Sequence, residues 1–163
     1  MTDALAGWSD FNVAMAGASA ALAGLVIVAA SVNIDKIIKA GTLTARLGAA
    51  IASLVLALVA SAVGLVPRVD PTWYGIVVLV GALTAGVFQF HATRVIMVDS
   101  ESQQHGRVAK AVLGWLPVAG YIAAGVALAL GSSSGLVLAA AGCLLAIVTA
   151  IVVSWVVLVE VLR

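Results

Sequence analysis

The chain has 163 residues and a formal net charge of +1; 64% of it is hydrophobic and only 9% is charged, where a soluble domain carries about a quarter charged residues. This composition excludes a water-soluble globular domain, and a charge so close to zero gives no footing for a nucleic-acid partner. The single cysteine, Cys143, lies inside an apolar run, so an intramolecular disulfide is excluded as well.

A hydrocarbon core of ~30 Å is crossed by ~20 apolar residues in a helix, and five runs meet that length, at about 11–34, 43–66, 71–98, 108–130 and 135–161. The expected fold is all-α, a polytopic membrane bundle of five helices in one domain, 1–163. The first run follows Asp3 and Asp10 in place of Lys or Arg and is long for a signal h-region, so it reads as a retained span. Within it Gly17, Ala21, Gly24 and Val28 fall three or four apart. Lipid offers little hydrophobic drive between helices, so they associate where small residues let backbones approach. This stripe places the first helix at the centre of the bundle, with the second and fifth packed on it.

A charged joint, 34–41, follows, with Lys36 and Lys39 able to snorkel to headgroups and Thr42 placed to cap the next helix. In the second span Ala49, Ser53, Ala57 and Ser61 repeat every four residues as another packing stripe. Pro67 ends it, and Asp70-Pro71 starts the third, with Asp70 as cap and Pro71 at the first helical position. The third span opens on Trp73 and Tyr74 and closes on His91 and Arg94 before the polar loop 99–110. Pro117 in the fourth span has no N–H, which leaves the Leu113 carbonyl without its helical donor and kinks the helix. After the turn at 131–135, the fifth span carries Gly142, Ala146, Ala150 and Ser154 on one face.

Five spans put the termini on opposite sides of the membrane. Lys36, Lys39, Arg46, Arg94, Arg107, Lys110 and Arg163 fall on one side and only Arg68 on the other, which reads as N-terminus outside and C-terminus inside. Trp8 and Trp73 then mark the outer boundary, and Trp115 and Trp155 the inner one.

Chemistry-bearing residues are sparse. At 1.5 Å per residue His91 lies roughly 27 Å along its helix from Trp73, and Glu160 roughly 37 Å along the fifth from Gly135. Both belong at the inner headgroups, where His91, Arg94, Glu160 and Lys36 form a possible polar cluster tying helix ends together. Ser19, Ser53, Thr84 and Thr149, with Gln89 toward the inside, are the mid-depth polar residues. No His, Lys or paired acid accompanies a serine at one depth, so no hydrolytic constellation is legible, and no cofactor or metal is expected. The absence of mid-membrane acids argues against an ion-coupled transporter.

Phe11-Asn12-Val13-Ala14 with the Ala/Gly run behind it, Ser31-Val32-Asn33, Gly64-Leu65-Val66-Pro67 and the closing Trp155 to Arg163 segment resemble a family of short, mostly uncharacterised multi-pass membrane proteins of actinobacteria. Some members carry the label modulator of FtsH protease. The resemblance implies a multi-pass protein of the bacterial cytoplasmic membrane. Residues and resemblance together lead to a non-enzymatic accessory, scaffold or regulatory subunit that acts through helix contacts, homo-oligomeric in the lipid bilayer and able to meet another membrane protein. The alternative is a homo-oligomeric channel or small-solute pore lined by small and hydroxyl residues of the first or second helix.

Overall fold

The computed structural model describes residues 3–39, 41–98 and 104–162, with side chains for 5–39, 42–98, 109 and 111–159. Every regular element among them is helical: α1 (Asp3–Ala6), α2 (Ser9–Val32), α3 (Ile34–Lys39), α4 (Gly41–Gly64), α5 (Pro71–Val98), α6 (Gln104–Ala129) and α7 (Ser134–Leu162). Five of these, α2, α4, α5, α6 and α7, are long and apolar enough to cross a membrane.

Local chemistry sets the ends. Asn33 closes α2 by turning its side-chain amide back to the Ala29 carbonyl at 3.1 Å, and the expected charged joint is itself a short helix, α3. Thr44 fastens that helix to α4 by donating to the Ile37 carbonyl at 2.9 Å. Thr42 therefore lies within α4 and does not cap it. Asp70 caps α5 as expected, its Oδ2 accepting from the Thr72 and Trp73 amides at 3.0 and 3.3 Å. Gly131, at φ 80°, ends α6 with the paired bonds of a Schellman turn, Gly131 N to Leu128 O and Ser132 N to Ala127 O, each 2.9 Å. The expected polar loop is shorter than its sequence, because Gln104 to Lys110 already belong to α6; its residues 99–103 lie outside the described ones.

The helices α4, α5, α6 and α7 pack in a ring, each on the next and α7 back on α4, while α2 lies against the outside of the ring on α4 and, to a lesser extent, α7. This overturns the expectation of a central first helix. In α2 17% of the most apolar stretch is buried, against 56% in α4. The face that α2 buries carries Asn12, Ser19, Ala23 and Val26, and Gly17, Ala21 and Gly24 point the other way, exposed. The physical reason lies with Asn12, whose polar side chain is expensive to leave in lipid and finds its place over Gly64, where a Cβ would come within 2.5 Å of its Nδ2.

Close approach inside the ring uses other glycines. A Cβ on Gly125 would lie 2.9 Å from the Gly75 carbonyl oxygen, and one on Gly120 would lie 3.2 Å from the Gly142 Cα. These contacts join α5 to α6 and α6 to α7. The stripes of α4 and α7 are consumed in the same interior: Ala49, Ser53, Ala57, Ser61, Gly142, Ala146 and Ala150 are all buried.

Candidate functional site

Two cavities with polar side chains in their walls lie along the buried face of α4. The larger of the two, about 60 Å³, lies between α4, α5, α6 and α7. Helical spacing brings its residues together: Arg46, Ala49 or Ala50, and Ser53 on α4; Gln89, Ala92 and Ile96 on α5; Thr149, Val153 and Val156 on α7. Arg46 is 8% exposed, Gln89 5%, Ser53 3% and Thr149 3%. A buried polar group is retained only where it is hydrogen-bonded or has a use for its polarity, and four such side chains converge here.

Gln89 and Thr149 are held in place by identifiable partners. Thr93 Oγ1 donates to the Gln89 backbone carbonyl at 2.8 Å and accepts from Trp115 Nε1 at 3.1 Å and from the Gln89 side-chain amide at 3.4 Å. That amide lies over Gly114, where a Cβ would stand 2.6 Å from the Gln89 Cδ. Thr149 Oγ1 donates to the Leu113 carbonyl at 3.2 Å. This is the carbonyl that Pro117 deprives of its helical donor, so a hydroxyl from α7 replaces the missing N–H and α6 continues through Pro117. The walls of the cavity therefore hold the buried Arg46 and Ser53 side chains, an anchored amide and a threonine oxygen whose proton is already committed.

The smaller cavity, about 10 Å³, lies toward the opposite end, under Leu5 and Trp8. Asn12, Ser61, Tyr74, Tyr121 and Cys143 line it. Ser61 Oγ and Cys143 Sγ are 4.0 Å apart, and the buried Tyr121 hydroxyl has no hydrogen-bond partner among the described residues. Between the cavities Ala57, Val118 and Ala146 are fully buried.

The residues singled out from sequence are distributed unevenly over this structure. Ser53 and Ala57 lie on the interior of α4, and Gly142 and Ala146 on that of α7, Gly142 against the Tyr121 ring. Gly17, Ala21 and Gly24 are exposed, and among the described residues no atom lies within 4 Å of where a Cβ on either glycine would be. His91 and Arg94 are exposed on α5, and Lys36 is exposed on α3, which packs on α4 and α2. The Glu160 side chain lies outside the described residues. Trp115, expected in an aromatic belt, is half-buried and bonded to Thr93, whereas Trp73 and Trp155 are exposed.

Arg46 is the residue that sequence reasoning missed, counted only as a flanking cation. The signal was present: Arg46 continues the Ala49, Ser53 face of α4 one turn toward its start. No family model, curated protein or solved structure matches the chain.

Proposed function

We propose that the protein is a non-enzymatic subunit of the bacterial cytoplasmic membrane, N-terminus outside, that assembles with a second copy of itself through α2. One observation carries the reading. Of the small-residue faces on α2, α4 and α7, those of α4 and α7 are used up within the protomer, and that of α2 is left bare, with Gly17, Ala20, Ala21 and Gly24 all exposed. Gly17-xxx-Ala21 and Ala20-xxx-Gly24 are the spacings at which two membrane helices approach most closely. An α2 to α2 contact about a two-fold axis presents the same face from both sides and closes on itself. The assembled pair then acts as a scaffold or regulator, offering membrane partners the remaining helix faces.

The test is native mass spectrometry of the tagged protein extracted gently from its own membrane, alongside a Gly17→Ile, Gly24→Ile variant. A homo-oligomer that the variant loses supports the reading. A monomeric parent protein refutes it, and a stoichiometric second protein in place of the second copy makes α2 a hetero-contact.

A small-solute pore is the second reading, and the interior placement of two serines of α4 favours it. Ser53 and Ser61 are buried in the interior of the ring, so a pore lined by their hydroxyls would run within a protomer, through the fully buried Ala57, Val118 and Ala146 between the cavities. Solute flux in reconstituted vesicles separates the two readings.

A further inference from the structure

We infer that the small cavity under Leu5 and Trp8 is a site for one ordered water, which bonds the Tyr121 hydroxyl and bridges it to Ser61 and Asn12. Through that water α6 is fastened to α4 and α2. The bridge is independent of any contact made by the exposed face of α2.

The need for an outside partner comes from Tyr121. Its side chain is 1% exposed, and its hydroxyl has no hydrogen-bond partner among the described residues. The hydroxyls of Ser19 and Ser154 share that description, but a serine or threonine in a helix can turn its hydroxyl to the carbonyl one turn back. Ser31 does so to Ile27 at 2.8 Å and Thr84 to Val80 at 2.9 Å. A tyrosine hydroxyl, held at the far end of a rigid ring, has no such recourse. Left unpaired in an apolar interior it forfeits its hydration with nothing in return.

Size and polarity then fix what the partner is. A buried water needs ~10–15 Å³ and typically makes about three hydrogen bonds. The cavity that Tyr121 lines measures about 10 Å³, which admits one water and no larger solute. Ser61 and Asn12 line it too, and both residues are buried. Ser61 offers a hydroxyl and Asn12 an amide that both donates and accepts, so with Tyr121 the water has three partners. Cys143 is the competitor within the same wall, its Sγ 4.0 Å from the Ser61 Oγ, but a thiol is a weak donor and a weak acceptor. Water is also close at hand. Tyr74 and Leu136, in the same wall, lie three and two residues from the first residues of α5 and α7, roughly 5 and 3 Å of rise.

The experiment is reversible unfolding of the full chain in mixed micelles, with Tyr121→Phe made in the native sequence, in Cys143→Ala and in Ser61→Ala. The substitution removes one oxygen and keeps the ring. With a bridging water it is expected to lower the folded-to-unfolded ratio about three- to tenfold in the native sequence and in Cys143→Ala, and about twofold or less once Ser61→Ala has removed one end of the bridge. An unchanged or higher ratio in the native sequence overturns the inference, because deleting a hydroxyl that is unpaired in a dry core costs nothing. An effect that vanishes in Cys143→Ala overturns it in favour of the thiol as direct partner, and an effect undiminished by Ser61→Ala overturns the bridge to α4. A density map of the native chain that resolves ordered water decides the matter without any variant, should one fail to fold. A single peak within about 3.2 Å of the Tyr121 hydroxyl supports the inference, and an empty cavity in such a map overturns it.

Discussion

Thr149→Val removes one hydrogen bond and almost nothing else. Valine has nearly the shape of threonine, and Thr149 is only 3% exposed, so the packing of α7 on α6 survives and the 3.2 Å bond to the Leu113 carbonyl does not. Interhelical hydrogen bonds in membrane proteins average ~0.6 kcal/mol and reach ~1.7. This one belongs in the upper half, because Pro117 has no N–H to offer the carbonyl in its place. A loss of about 1 to 1.4 kcal/mol, a five- to tenfold fall in the folded-to-unfolded ratio, follows. Pro117→Ala restores a backbone N–H four residues beyond Leu113, so in that background Thr149→Val is expected to cost about 0.5 kcal/mol or less. The double-mutant cycle then gives a coupling of about 0.5 to 1.4 kcal/mol, measured by reversible unfolding in mixed micelles of mild detergent and dodecyl sulfate. If Thr149→Val costs the same within ~0.3 kcal/mol with and without Pro117, the hydroxyl does not stand in for the missing amide and the reasoning fails.

Further expectations come from the same packing. Gly125→Leu, whose side chain would enter the 2.9 Å approach to the Gly75 carbonyl, is expected to lower stability by about 3 kcal/mol or prevent folding. Gly24→Leu, with no atom within 4 Å, stays within about 0.5 kcal/mol of the parent when measured under monomeric conditions. Equal effects of the two in mixed-micelle unfolding would mean that α2 packs differently. Gly114→Ala displaces the Gln89 amide and is expected to cost about 1 to 3 kcal/mol, with Gly114→Ala, Gln89→Ala recovering part of the loss. His91→Ala and Arg94→Ala alter exposed side chains and each shifts stability by less than about 0.5 kcal/mol, where a helix-locking cluster would lose more.

Much of the architecture was legible in the sequence because it depends on local quantities. A run of ~20 uncharged residues is a span wherever it packs, and the five expected runs differ from the observed helices by a few residues at most ends. Asp70, the helix stop at Pro67 and the orphaned Leu113 carbonyl follow from backbone chemistry alone. The polar stretch after Val98 resembles a loop by its polarity, yet polarity does not forbid helix, and Gln104 to Lys110 hold no proline and one glycine, Gly106. The cavity was half-visible: Ser53, Gln89 and Thr149 stood out as mid-depth polar residues, but no pattern within one helix could show that three helices turn them, with Arg46, to one space.

The amino-acid order by itself determined the number of spans, their ends and the positions of every small face and hydroxyl. Only the tertiary structure decided which small faces are used. In a bilayer Gly17, Ala21 and Gly24 are as capable of close contact as Gly120 and Gly142, and hydropathy cannot rank them. The choice falls to simultaneous fit: burying Asn12 over Gly64 of α4 turns the glycine stripe of α2 outward, and closing the α4–α7 ring buries Arg46 and Gln89 in the wall of one cavity. These are properties of several helices together, so no single stretch of the chain contains them.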